Sequence, residues 1–309
     1  MNQSKIRNFF RRRRNPNKIR ESKLDTALMI LNVVLLIVGA ILVLFPLLNY
    51  FSLAFNDGNF NMDVVIFPVR WSFWSFQYIF SGEGALAFWR SFGNSVFITL
   101  VVTIFSNLFE AMAAYPLSKK DFPFRGNILM YFIITMLFSA GIMPIYLLMH
   151  QFKLLNNIWS VILISISNVT HLLYFKTLFE GIPTDIEEAA KLDGAGELQL
   201  FFRIVIPMSL PIIGSCCFFT IVGTWNGYGS ALLFIPESQT GEANMPLAYY
   251  IYYFIGKTEI GDKNNAILAA NRKNIEAAMM LLSTIPILCM YPYVVRYIKG
   301  GLQLGSVKG

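Results

Sequence analysis

The sequence predicts an all-α integral membrane protein of six transmembrane helices, with a polar two-helix loop between spans 4 and 5. Three observations carry this. Hydrophobic residues make up 55% of the chain and charged residues only 14%, whereas soluble domains carry about a quarter charged residues. Several apolar runs reach the ~20 residues that a helical span requires. The lysines and arginines fall unevenly between the connecting segments.

Residues 1–26 form a basic N-terminal segment that contains Arg11–Arg14. The first apolar run, Ala27 to Leu48, is too long for a signal peptide and reads as a retained helix. The spans are placed at 27–49, 91–117, 127–149, 157–179, 208–233 and 275–297, so that 27–297 is the membrane domain and 298–309 a polar tail. Six spans put both termini on one side. That side collects 18 of the 25 Lys and Arg residues, among them Lys119, Lys120, Arg125, Lys176, Lys191 and Arg203. Basic residues accumulate in cytoplasmic loops, so both termini and the loop at 180–211 are expected in the cytoplasm. The arginine run lacks aromatic interleaving or a nucleic-acid-binding fold. It reads as a topology anchor that touches anionic lipid, with no nucleic-acid partner.

The polar loop has its own local logic. Thr184 and Glu187 are spaced as a capping box, which predicts a helix beginning near Asp185. Asp185, Glu187 and Glu188 place negative charge in the first turn, Lys191 falls in the last, and Gly194 is a natural left-handed stop. A second helix fits Glu197 to Ile206, ended by Pro207. Its apolar positions Leu198, Phe201, Phe202 and Val205 recur at helical spacing. Two phenylalanines on a water-facing loop call for a cover. Either a partner's groove receives this helix, or the loop lies on the protein's own membrane domain.

Glu188-Ala189-Ala190, Asp193-Gly194-Ala195, Ile204, Pro207 and Pro211 resemble the "EAA" loop of permease subunits in binding-protein-dependent ABC importers. Gly223-Thr224-Trp225-Asn226 resembles the following helix in the carbohydrate-uptake, maltose-importer-like branch. The segment from Pro286 through Tyr291-Pro292 to Lys299-Gly300-Gly301-Leu302, with Gly305 to Gly309, is similar to the LplC/YtcP-like oligosaccharide permeases. The resemblance spans roughly residues 24–309 and implies an oligosaccharide importer. It implies a second, related permease, two cytosolic ATPases that bind ATP and Mg, and an extracellular or periplasmic sugar-binding protein. No cofactor is expected on this chain. The implied coupling residues are Glu188, pairing with a basic ATPase residue; Ala189 and Ala190, permitting close approach; Asp193 and Gly194, at the turn; and Phe201 and Phe202, filling the groove.

The remaining residues restrict the alternatives. No G-x-x-x-x-G-K-[ST] phosphate loop occurs, so ATP is not hydrolysed here by that route. H-E-x-x-H, G-x-S-x-G and CxxC are also absent from the sequence, and a membrane-embedded enzyme would show paired acids or histidines. A proton-coupled carrier would need intramembrane acids, and only Glu110 lies well inside a span. It should face the bundle interior, since a charge in lipid costs on the order of a few kcal/mol, and a structural hydrogen bond is its expected role. The same ABC machinery could also serve a glycerol phosphodiester or an amino acid. Cys216, Cys217 and Cys289 read as buried thiols, and His150 and His171 do not make a metal centre. The outer loops at about 50–90 and 234–274 carry Trp71, Trp74, Phe76 and Tyr78, and then Tyr249, Tyr250, Tyr252 and Tyr253. Both clusters fit an interfacial aromatic belt or, as the resemblance implies, docking of a binding protein. Trp225, Asn226 and Tyr228 offer the mixture of aromatic face and amide that binds sugars. Gly223, Gly227 and Gly229 should loosen that helix beside a wet cavity, or only allow close packing.

Overall fold

The computed structural model describes residues 23–57, 64–82, 85–236, 244–257 and 266–305. Arg11–Arg14, Asn264, Asn265 and the last four residues lie outside them. The chain divides into two compact units, Met1–Asn49 and Tyr50–Gly309. The first contributes most of α1 (Lys23–Ala54). Its side chains from Ala27 to Leu48 are all exposed, and apart from Asn32 they are apolar on every side, as a membrane span requires.

In the second unit, α2 (Trp74–Ser81) leads into α3 (Ala85–Ser118), the longest buried helix and the axis of the fold. Its interior face is unusually polar: Ser91, Ser95, Thr99, Thr103, Ser106, Asn107 and Glu110 are all buried. Around it pack α6 (Ile158–Ser165), α7 (Val169–Glu180), α10 (Ile206–Asn226) and α12 (Leu247–Lys257). The final helix, α13 (Ala266–Gly305), packs against α10, α12 and α2.

Among the described residues, four stretches are long and apolar enough to cross a bilayer: Ala27–Ala54, Ala85–Ser118, Glu197–Asn226 and Asn271–Pro292. The number rises to six if each of two bent pairs counts as one span. The expected third span, 127–149, is not one rod. It breaks into α4 (Arg125–Leu137) and α5 (Ile142–Gln151), bent by 106°. Gly141 takes a left-handed φ of 83° there, its N–H donates to Ser139 Oγ at 3.2 Å, and Pro144 is confined to the first turn of the new helix, where no N–H is missed. The fourth, 157–179, bends by 40° between α6 and α7. The first half ends at Ser165, and Asn168 caps the second, its Oδ1 accepting from Thr170 N–H at 3.0 Å.

The last two spans also differ from expectation. The fifth starts earlier than 208 and ends at Asn226; Gly227 is extended, and a short α11 (Gly229–Phe234) follows. The glycines therefore do break the helix, at Gly227, while Gly223 stays helical. The sixth, expected at 275–297, is Asn271–Pro292 by length and composition, and the helix that contains it, α13, continues to Gly305.

Two buried clusters form the core. One gathers Leu53, Ile79, Phe88, Ile98, Ile162, Trp225, Tyr250, Ile275 and Met279. Tyr249 and Tyr250 belong to it rather than to a surface belt, whereas Tyr252 is exposed. The other gathers Ala114, Tyr115, Phe175, Phe179, Leu200, Phe201 and Val205, directly beneath the polar loop. Of the cysteines, Cys216 is buried, but Cys289 is exposed.

Candidate coupling loop and solute path

The loop begins with α8 (Thr184–Leu192). Its N-cap is Pro183, and no side chain caps it, so the expected capping box does not form. Glu187 points elsewhere: it is buried and receives both its hydrogen bonds from Lys119 Nζ, just past the end of α3. The negative first turn is retained, as the helix dipole favours.

The C-terminus of α8 closes as the sequence predicts. Gly194 has φ 85°, its N–H donates to Lys191 O at 3.0 Å, and Ala195 N–H donates to Ala190 O at 3.0 Å. This is the paired bonding of a Schellman motif. A Cβ at Gly194 would meet nothing within 4 Å, so the dihedral angle alone, not crowding, calls for glycine.

The second helix starts at Glu197, as expected, but Pro207 does not end it. α9 (Glu197–Leu200) runs through a π turn, Phe201–Val205, directly into α10. Ile206 N–H reaches back to Phe201 O. A proline in a helix clashes with the carbonyl four residues earlier and lacks the donor for it. Pro207 falls in the first turn of α10, directly after the π turn, and the loop is helically continuous with a membrane span.

Burial sorts the predicted coupling residues into two groups. Glu188, Ala189, Asp193 and Gly194 are exposed and Ala190 is half-buried. Phe202 is 49% exposed, and Ile186, Leu192 and Leu198 of the same loop are also exposed. Phe201, by contrast, is only 3% exposed. Its ring packs on Tyr115 and Phe179 in the protein's own core, so it is not free to fill a partner's groove. Leu198 and Phe202 are the apolar side chains that remain outside.

Ionic contacts fasten the inner side of the loop. Tyr115 donates to Glu197 Oε2 at 3.2 Å, Lys191 pairs with Glu197 at 2.7 Å, and Lys119 lies 4.6 Å above the Tyr115 ring. The hydrogen bond to Glu197 holds the Lys191 ammonium pKa above its usual value. Arg125 and Lys176 both pair with Glu180, and Arg125 also donates to Leu117 O at 2.8 Å. Sequence reading missed Lys119 and Glu187. The only available signal was a second acid directly before the conspicuous one.

The candidate solute residues separate as well. Trp225 is 6% exposed, its indole N–H donates to Ser283 O at 2.9 Å, and its ring meets Phe92 edge-on. It is a packing residue of the core. Asn226 is exposed at the helix end, and Tyr228 stacks on Tyr252 with centroids 4.9 Å apart. Glu110 lies inside the bundle, as predicted. Its Oε1 accepts from Ser106 Oγ at 2.6 Å and from Asn168 N–H at 2.8 Å, and His171 Nδ1 is 3.5 Å from Oε2.

No family model matches the chain, but relatives are plain. It is 36% identical over 245 residues to protein LplC of Bacillus subtilis (strain 168), covering 79% of this chain and 81% of that one. It is 32% identical to the polygalacturonan/rhamnogalacturonan transport system permease protein YtcP of the same organism, covering 79% and 85%. Among solved structures it is similar to a chain of a bacterial ABC transporter involved in the import of the acidic polysaccharide alginate, with TM-score 0.80, 28% identity and coverage of 89% and 98%. With its bundle of apolar helices and a two-helix polar loop continuous with one of them, the chain belongs to the integral-membrane permease subunits of the carbohydrate-uptake ABC transporters.

Proposed function

We propose that this chain imports oligosaccharides across the plasma membrane as one of two related permease subunits, with both termini in the cytoplasm. Two cytosolic ATPases supply the energy, binding ATP and Mg, and an extracellular sugar-binding protein delivers the solute. The observation that carries this reading is the division of the α8–α9 loop. One side, with Glu187, Leu200, Phe201 and Val205, is built into the protein's own core. The other presents Glu188, Leu192 and Leu198 exposed, with Phe202 half exposed beside the Phe201 ring. An exposed apolar helical face beside acidic groups suits a partner's groove. Because α9 passes through the π turn into α10 without a joint, a push on that face reaches the bilayer core.

The relatives support the solute class: they include transport permeases named for polygalacturonan/rhamnogalacturonan and for arabinooligosaccharides. On this chain, Asn226 and the Tyr228–Tyr252 stack are the groups suited to line the path, since a pyranose presents apolar faces and a polar rim.

The test is reconstitution of the full complex in proteoliposomes. Labelled galacturono-, arabino- and galacto-oligosaccharides are offered with and without ATP. ATP-dependent accumulation of at least one is the expected result. Accumulation without ATP, or of none of them although the complex hydrolyses ATP, would sink the reading.

A further inference from the structure

We infer that Lys119 and Glu187 form a pin that makes the coupling loop and the central helix α3 move as one body. This rests on the proposal that the loop receives the ATPase stroke. The loop already has one rigid connection to the membrane, through α9 into α10. α8, however, is joined to its neighbours in sequence only by the turns at Gly181–Pro183 and Gly194–Gly196. What attaches it sideways is the packing of the small Ala190 side chain against the second core cluster and, with fixed orientation, charge. Lys119 Nζ donates to both carboxylate oxygens of Glu187, whose side chain is 10% exposed against 31% for Lys119.

The setting favours a firm contact. Lys119 directly follows the last residue of α3, where the helix dipole welcomes a cation, and Glu187 sits in the first turn of α8, where it welcomes an anion. Charge-assisted bonds with both oxygens engaged fix orientation as well as distance. The pin is reinforced by its neighbours: the ammonium lies on the Tyr115 ring, the Tyr115 hydroxyl holds Glu197, and Glu197 holds Lys191. The exposed Lys191–Glu197 pair adds a weaker link from the C-terminal end of α8, so the firm tie to the final turn of α3 is the Lys119–Glu187 contact. α3 in turn runs the length of the bundle, with its polar interior face packed against α7 and α10. A displacement of α8 must therefore tilt α3, rather than be absorbed by the flanking turns.

Lys119 and Glu187 are positioning residues and stand apart from the exposed face assigned to the ATPase. The test uses the complete complex purified through this subunit. Nitroxide labels at Lys120 and Thr184, both exposed and outside the face assigned to the ATPase, report the distance between the end of α3 and α8. A single cysteine replacing Asn226 reports, by maleimide labelling with and without ATP and vanadate, whether the stroke arrives. Lys119→Met should retain the ATPases but broaden the distance distribution, and the nucleotide-dependent change at position 226 should fall about fivefold or more. Lys119→Arg should behave as the parent, and Glu187→Gln added to Lys119→Met should deepen the loss little, since the two effects are not independent. An unchanged distribution or an unchanged response in Lys119→Met would overturn the inference, as would a further loss of similar size when Glu187→Gln is added. The distance measurement needs no ATPase. Leu198→Asp and Phe202→Asp test the docking reading separately: ATPases that stay bound to both would remove that reading, and the distances would then decide for or against the pin by themselves.

Discussion

The carboxylate of Glu110 holds the backbone N–H of Asn168 at 2.8 Å, which ties the middle of α3 to the point where α6 bends into α7. This acid inside a span is thus spent on a break in a neighbouring helix. Ser106 and His171 flank it, and Asn107 links the same turn to Thr220 of α10 at 3.2 Å. Glu110→Ala should cost about 1–3 kcal/mol, because it leaves buried donors unpaired. Glu110→Gln retains an acceptor and should cost less. Thermal unfolding of the purified complex measures both, and equal midpoints for parent and alanine variant would show that the contact contributes nothing.

Gly194 is constrained by its dihedral angle and not by space. A residue with a Cβ should cost about 1–2 kcal/mol in the left-handed region, without a clash. Gly194→Val should insert normally yet bind the ATPases more weakly, and Gly194→Asn should be milder. Retention of the ATPases on the affinity-purified subunit, compared across the two variants, is the measurement; full retention by the valine variant contradicts the argument.

Adjacent phenylalanines should behave oppositely. Phe201→Ala removes a buried ring and should destabilise the subunit by about 3–5 kcal/mol. Phe202→Ala, half exposed, should stay within about 0.5 kcal/mol of the parent while lowering ATPase retention. Unfolding midpoints and co-purification read the two effects apart, and similar stability losses in both variants would count against the assignment.

Trp225 and its neighbours divide likewise. Trp225→Ala should lose assembly, at a cost of about 3–5 kcal/mol, and Trp225→Phe should lose only the bond to Ser283, about 1 kcal/mol. Asn226→Ala and Tyr228→Ala should assemble normally and hydrolyse ATP at the parent's basal rate, but take up oligosaccharide more slowly. Normal uptake by both would remove them from the solute path.

Orientation rests on charge alone and is open to a direct check. With Cys216, Cys217 and Cys289 replaced by alanine, a single cysteine at exposed Ser81 should label in intact cells. One at exposed Lys120 should label only after permeabilisation. Identical behaviour at the two positions is incompatible with the proposed topology.

What the sequence by itself determined is what depends on neighbours along the chain and on bulk solvent preference. Apolar runs of sufficient length decided that helices cross a membrane, and the charge of the first turn and the φ demanded at Gly194 decided where α8 lies. Side-chain exposure and the continuity of helices were decided only in the tertiary structure. Phe201 and Phe202 are equivalent in composition and periodicity, and only the positions of Tyr115 and Phe179 make one core and the other surface. Pro207 reads as a stop because the rule is local, yet a π turn supported by burial of Leu200 and Val205 carries the helix past it. Ser165 to Asn168 offers no glycine or proline, so the bend between α6 and α7 depends on an acceptor that Glu110 brings from 58 residues away. Glu187 has the spacing of half a capping box, but Lys119, 68 residues distant, claims its carboxylate: a local hydrogen bond to one backbone N–H loses to a partly buried ion pair engaging both oxygens.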